Sequence, residues 1–112
     1  MGRDEFQAVL QNATEEQLTA LDEAHWRYMS LIGIVSDVLP AEVVAGDVAR
    51  FPEMIKRDEG GLPIFKDADC DEFMVAITGL PREFCEAWKD KDFYELHGES
   101  VDEVFERGGF AS

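Results

Sequence analysis

Basic residues are scarce in this chain. Ten Lys and Arg stand against 25 Asp and Glu in 112 residues, a net charge of -15. A field of that sign repels phosphate backbones and anionic lipid leaflets, so neither direct nucleic-acid binding nor membrane binding is expected. Cysteine is as sparse. Cys70 and Cys85 are spaced as neither a C-x-x-C redox pair nor a zinc knuckle. Their acidic neighbours disfavour the thiolate that a reactive cysteine needs, so both read as reduced, buried, structural thiols, with a disulfide between them as the alternative. Long apolar runs are missing too: the stretch from Leu31 to Val44 is interrupted by Gly33, Asp37, Pro40 and Glu42. The opening MGRDEFQAVLQ carries charge where a signal peptide has its apolar segment, and Phe6 stands where myristoylation wants Ser or Thr. The expectation is a soluble, cytoplasmic protein.

What is present is enough to fold. Hydrophobic residues make up 46% and aromatic residues 11% of the chain, which separates it from acidic disordered tails. Its length fits one acidic globular domain over residues 1–112.

Thr14-Glu15-Glu16-Gln17 has the form of a capping box, with two acids suited to the positive end of a helix. Leu18, Leu21, His25, Tyr28, Ile32, Val35 and Leu39 follow at steps of three and four, predicting one long central helix over about 14–39. Pro40 ends it. Ala41 to Ala45 reads as a short helical turn, with Gly46-Asp47 as a break and new cap before Val48, Phe51, Met54 and Ile55. Asp58-Glu59-Gly60-Gly61 is a turn signal, and the residues after it suggest a small extended element near 62–66.

The last third alternates helical patterns with stops. Asp69 or Asp71 caps a helix that Gly79 ends, and Leu80-Pro81 opens another with Phe84, Cys85 and Trp88 inward. Asp92 to His97 reads as a further turn or two, stopped by Gly98. Ser100-Val101-Asp102-Glu103 is a second capping box, and Gly108-Gly109 a stop. The fold class is all-α: a compact bundle of five or six helices, several short, around the long central helix.

Chemistry-bearing motifs are weak. Asp67-Ala-Asp69-Cys-Asp71 opens like a calcium loop, but Glu72 takes the place of its glycine and Thr78 that of its bidentate glutamate. An acidic helix start accounts for it better. His25 follows Asp22 by one turn, as in di-iron bundles, yet His97 has no carboxylate at the matching offset. Ser30 and Ser36 lack a nucleophile-elbow setting, and Gly60-Gly61 and Gly108-Gly109 lack the rest of a phosphate loop. No enzyme activity, cofactor or metal is expected.

The carboxylates themselves are the remaining signal. From Asp67 onward there are 13 acids and four bases. Glu83, Glu86 and Asp90 recur at helical steps, as do Asp92, Glu95, Glu99, Asp102 and Glu106, with Glu103 adjacent. Such neighbours lie about 5–6 Å apart, comparable to successive phosphates of one DNA strand. Any amphipathic helix exposes a periodic polar face, but like charges so placed repel, and a charge of about 2–8 is enough to keep a small domain soluble.

These nine acids are therefore expected to bind a partner. The partner is a basic protein, in particular a nucleic-acid-binding protein or complex whose basic surface they occupy. In size and charge the chain resembles small acidic phage inhibitors of host defence, including anti-CRISPR proteins and DNA mimics. An immunity protein or antitoxin that neutralises a basic nuclease toxin uses the same electrostatics. A structural protein or assembly chaperone acting through hydrophobic contacts is the alternative of a different kind.

Overall fold

The computed structural model describes residues 2–96 together with positions 103 and 106, and from Asp92 to Leu96 the backbone alone. Five α-helices make up most of it: α1 (Arg3–Asn12), α2 (Glu15–Leu31), α3 (Ala41–Arg50), α4 (Asp67–Thr78) and α5 (Arg82–Leu96), with a 3₁₀ turn at Pro52–Met54. The chain is all-α, as its sequence patterns imply, and no strand occurs among the described residues. No helix among them is long and apolar enough to cross a membrane. The chain divides into two units, Met1–Leu21 with Met74–Ser112, and Asp22–Phe73.

In the first unit, Thr14 and Gln17 form the capping box. The Gln17 amide N–H donates to Thr14 Oγ1 (3.1 Å), and the Thr14 N–H to Gln17 Oε1 (2.8 Å). Gln17 Nε2 also donates to the Thr78 carbonyl (2.6 Å), so one side chain serves the start of α2 and the end of α4. Gly79 ends α4 with φ +72°. Helix α1, which the charged N-terminus obscures, is fastened by Phe6, 1% exposed, whose ring lies 4.9 Å from that of Phe84. The Phe84 ring in turn contacts Trp88 at 5.8 Å. Cys85 is reduced and fully buried.

The second unit corrects the long central helix. Instead of running over 14–39, α2 stops at Leu31. Gly33 takes φ +83°, and the N–H groups of Ile34 and Gly33 bond the carbonyls of Met29 (2.9 Å) and Ser30 (3.2 Å). This is a Schellman cap, which satisfies the last carbonyls and turns the chain away. Val35 and Leu39 lie beyond it, in an irregular segment that includes Asp37 at φ +63°.

Helix α3 corrects a second boundary, since it runs straight through Gly46-Asp47. The Asp47 carboxylate does not cap a helix but receives Arg27 through Nη2–Oδ1 (2.7 Å) and Nε–Oδ2 (3.0 Å). The Phe73 ring packs on Phe51 (5.2 Å) and Tyr28 (5.9 Å), with the Arg27 guanidinium 5.8 Å from its centre. The turn at 58–61 forms as expected, closed by Asp58 N–H to the Leu62 carbonyl (2.9 Å) and Leu62 N–H to Asp58 Oδ1 (2.9 Å). The extended element near 62–66 is one antiparallel bridge, Arg57 with Pro63. Cys70 is reduced and fully buried.

Candidate acidic interface

Helix α5 carries five of the nine acids expected to meet a partner. It starts directly after Pro81, whose carbonyl accepts the Cys85 N–H (3.0 Å), and it buries Phe84, Cys85, Ala87 and Trp88. Glu83 is exposed, while Glu86 and Asp90 are half-buried. Glu86 accepts from Arg82 Nε at 3.2 Å, one turn earlier. The Lys91 ammonium stands 4.5 Å from the centre of the Trp88 ring. From Arg82 to Lys91 three acids meet three bases, so this stretch is electrically balanced.

The helix does not stop at Asp92 but continues to Leu96. At 3.6 residues per turn, positions 83, 86 and 90 share one side, and positions 92 and 95 fall on roughly the opposite side. One unbroken helix thus separates the two sequence rows rather than joining them. Glu103 and Glu106 are helical and exposed. Glu99 and Asp102 lie outside the described residues, as do His97, Gly98, the cap at Ser100 and the stop at Gly108-Gly109.

Both units carry a surplus of acids. The first has 13 acids and five bases, the second 12 and five. Asp4 and Glu5 occupy the first turn of α1, and Glu15 and Glu16 that of α2, where the helix dipole favours them. In the second unit Asp37, Glu42, Glu53, Asp58 and Glu59 are all exposed.

Buried acids in that unit engage cations. Asp47, 5% exposed, binds Arg27 with two hydrogen bonds, and Asp69, 8% exposed, holds Lys56 Nζ at 3.0 and 3.2 Å. Two of the unit's five bases are thereby committed to internal carboxylates, and the exposed acids keep their surplus. The same contacts decide the calcium-like segment: Asp67 to Asp71 is the first turn of α4, not a loop, and its Asp69 already has a cation. Among the described residues no cluster of three or more His, Cys, Asp or Glu is arranged to hold a metal ion.

An exposed aromatic group, which sequence periodicity did not single out, lies in this second unit. Trp26 is 47% and Phe65 38% exposed. The His25 ring, expected to pack inward, is exposed between them, edge-on at 6.2 Å from Trp26 and 5.8 Å from Phe65. Ala24 takes the inward place on α2 instead, fully buried. Tyr28 lies beneath Phe65 at 5.7 Å. Burial, and secondly the charge of Asp69, push the Tyr28 phenol above its ordinary pKa. Its hydroxyl closes no hydrogen bond of good geometry, and the Lys66 main chain counters a small part of the upward shift.

In comparisons with known proteins, no family model, curated protein or solved structure matches the chain.

Proposed function

We propose that this is a non-enzymatic binding protein of the cytoplasm that occupies a basic, nucleic-acid-binding surface of another protein, in the manner of DNA mimics and acidic phage inhibitors of host defence. One observation carries the reading. The chain carries a net charge of -15, and two of its ten cations, Arg27 and Lys56, are engaged by buried carboxylates. Carboxylates held on helices and ordered turns meet Arg and Lys at little entropic cost and speed the encounter. Glu83, Glu86, Asp90, Asp92, Glu95, Glu99, Asp102, Glu103 and Glu106 remain the proposed contacts, with Asp58 and Glu59 added from the second unit. An immunity protein or antitoxin against a basic nuclease fits the same electrostatics.

The test is capture of partners from host lysate by the tagged protein, washed at low and then at high salt. A basic nucleic-acid-binding protein released by salt supports the proposal. Reversal of Glu83, Glu86, Glu103 and Glu106 to Lys abolishes that capture while the helical circular dichroism is kept; unchanged capture refutes those contacts.

The exposed Trp26, His25 and Phe65 group favours a second reading, a structural or assembly role driven by apolar contacts. Self-association that persists in high salt and is lost in Trp26→Ser separates it from the first.

A further inference from the structure

The cap that ends α2 leaves an open cavity of about 610 Å³ between the last turn of α2, the irregular segment after it and the first turns of α3. Cavities of about 300–1,000 Å³ are the usual size for small-molecule sites. Val35, Leu39, Val44 and Ala45 give it an apolar wall, and Asp37 supplies its one charged side chain among the described residues. Asp37 is held at φ +63°, a backbone state that Asp tolerates and most residues avoid. Ser30 also lines the cavity. It is 7% exposed, and its hydroxyl has no hydrogen-bond partner. A buried hydroxyl without a partner is destabilising, so its place at the wall of a cavity is a feature to be explained.

We propose that this cavity binds a small apolar amine. The hydrocarbon body lies against Val35, Leu39 and Val44, the ammonium is drawn to Asp37, and Ser30 completes the polar contact. The Ser30 hydroxyl, buried and without a partner in a residue that lines the cavity, has its hydrogen-bonding capacity left to offer. Charge selects the ligand class: Asp37 and the net charge of -15 oppose a carboxylate or phosphate in the same place. This site is independent of the acidic-surface proposal, since it concerns a small molecule and lies in a cavity of the second unit.

The experiment titrates the ¹⁵N-labelled protein with three probes that share one apolar body: 1-naphthylmethylamine, 1-naphthalenemethanol and 1-naphthoate. The amine is expected to bind most tightly, the alcohol more weakly and the acid not at all, with amide shifts concentrated in residues 30–45. Asp37→Asn, which keeps the backbone conformation, should weaken the amine about two- to fivefold, as loss of an exposed ion pair does, and leave the alcohol unchanged. Ser30→Ala should weaken both about two- to tenfold, the worth of one hydrogen bond. Three results would each overturn the proposal: no probe binds, the acid binds as tightly as the amine, or the amine's shifts scatter over acidic residues outside the cavity.

Discussion

Asp47→Ala is expected to be the costliest truncation among the three ion pairs described above. Arg27 and Asp47 meet through two hydrogen bonds with side chains only 17% and 7% exposed, and the guanidinium also faces the Phe73 ring. Removing one partner of a buried pair costs about 3–5 kcal/mol, because the other charge is stranded. Arg27 keeps some access to water, which favours about 3, and replacing Asp by Ala inside α3 returns about 0.5 in helix propensity. The net is roughly 2.5 kcal/mol, or a fall in Tm of about 10 °C at this size.

Lys56–Asp69 is more open on one side, at 45% and 11% exposed. Lys56→Ala therefore strands a buried acid and costs roughly 2 kcal/mol, whereas Asp69→Ala frees a lysine to hydrate and costs about 1. Arg82–Glu86, exposed at the arginine and half-buried at the glutamate, contributes about 0.3–0.5 kcal/mol and should fade in salt. Urea unfolding of the four variants at 50 mM and 500 mM NaCl tests the order. If Asp47→Ala costs no more than Glu86→Ala, burial does not govern these pairs and the reasoning fails.

Further expectations concern single positions. Gly46→Ala should raise stability by about 0.4–1 kcal/mol, since a Cβ there meets nothing within 4 Å and glycine is unfavourable inside α3; a lower urea midpoint would contradict it. Thr14→Ala removes the cap of α2 and should cost about 1 kcal/mol, readable as a lower thermal midpoint. Tyr28→Phe deletes a buried hydroxyl without a good partner and should be neutral or stabilising near pH 7. Because the folded state raises the Tyr28 pKa, the unfolded chain ionises first as the solution becomes alkaline. The wild type should keep its stability below about pH 10 and lose it toward the folded-state value, and Tyr28→Phe should flatten that decline.

The features legible in sequence were those decided by near neighbours. Thr14 and Gln17 cap one another across three residues, Gly79 needs only its own backbone freedom, and Pro81 cannot lie inside a helix. Features decided by distant partners were not legible. Asp47 resembles a cap by composition, and only Arg27, 20 residues away, reveals it as a buried anion. Gly33 stands in an apolar run whose periodicity continues past it, while its left-handed backbone ends the helix. Periodicity also favoured His25 over Ala24 for the inward face, although the smaller residue is the buried one. The acidic rows were visible as spacing. Their separation around α5 depends on a helix that runs to Leu96, and the pairing of Arg27 and Lys56 with buried carboxylates depends on contacts 20 and 13 residues apart.

The two reduced thiols fall one to each unit, Cys85 in the first and Cys70 in the second, both with no exposure. Each unit thus has a built-in clock for its own opening. A thiol reagent reaches each sulfur only when the surrounding packing lets go, and mass spectrometry distinguishes the two modified peptides. Labelling rates that agree across a urea series would mean the units open together. Rates that diverge would measure, without any engineered probe, how much of the chain can loosen while the rest stays folded.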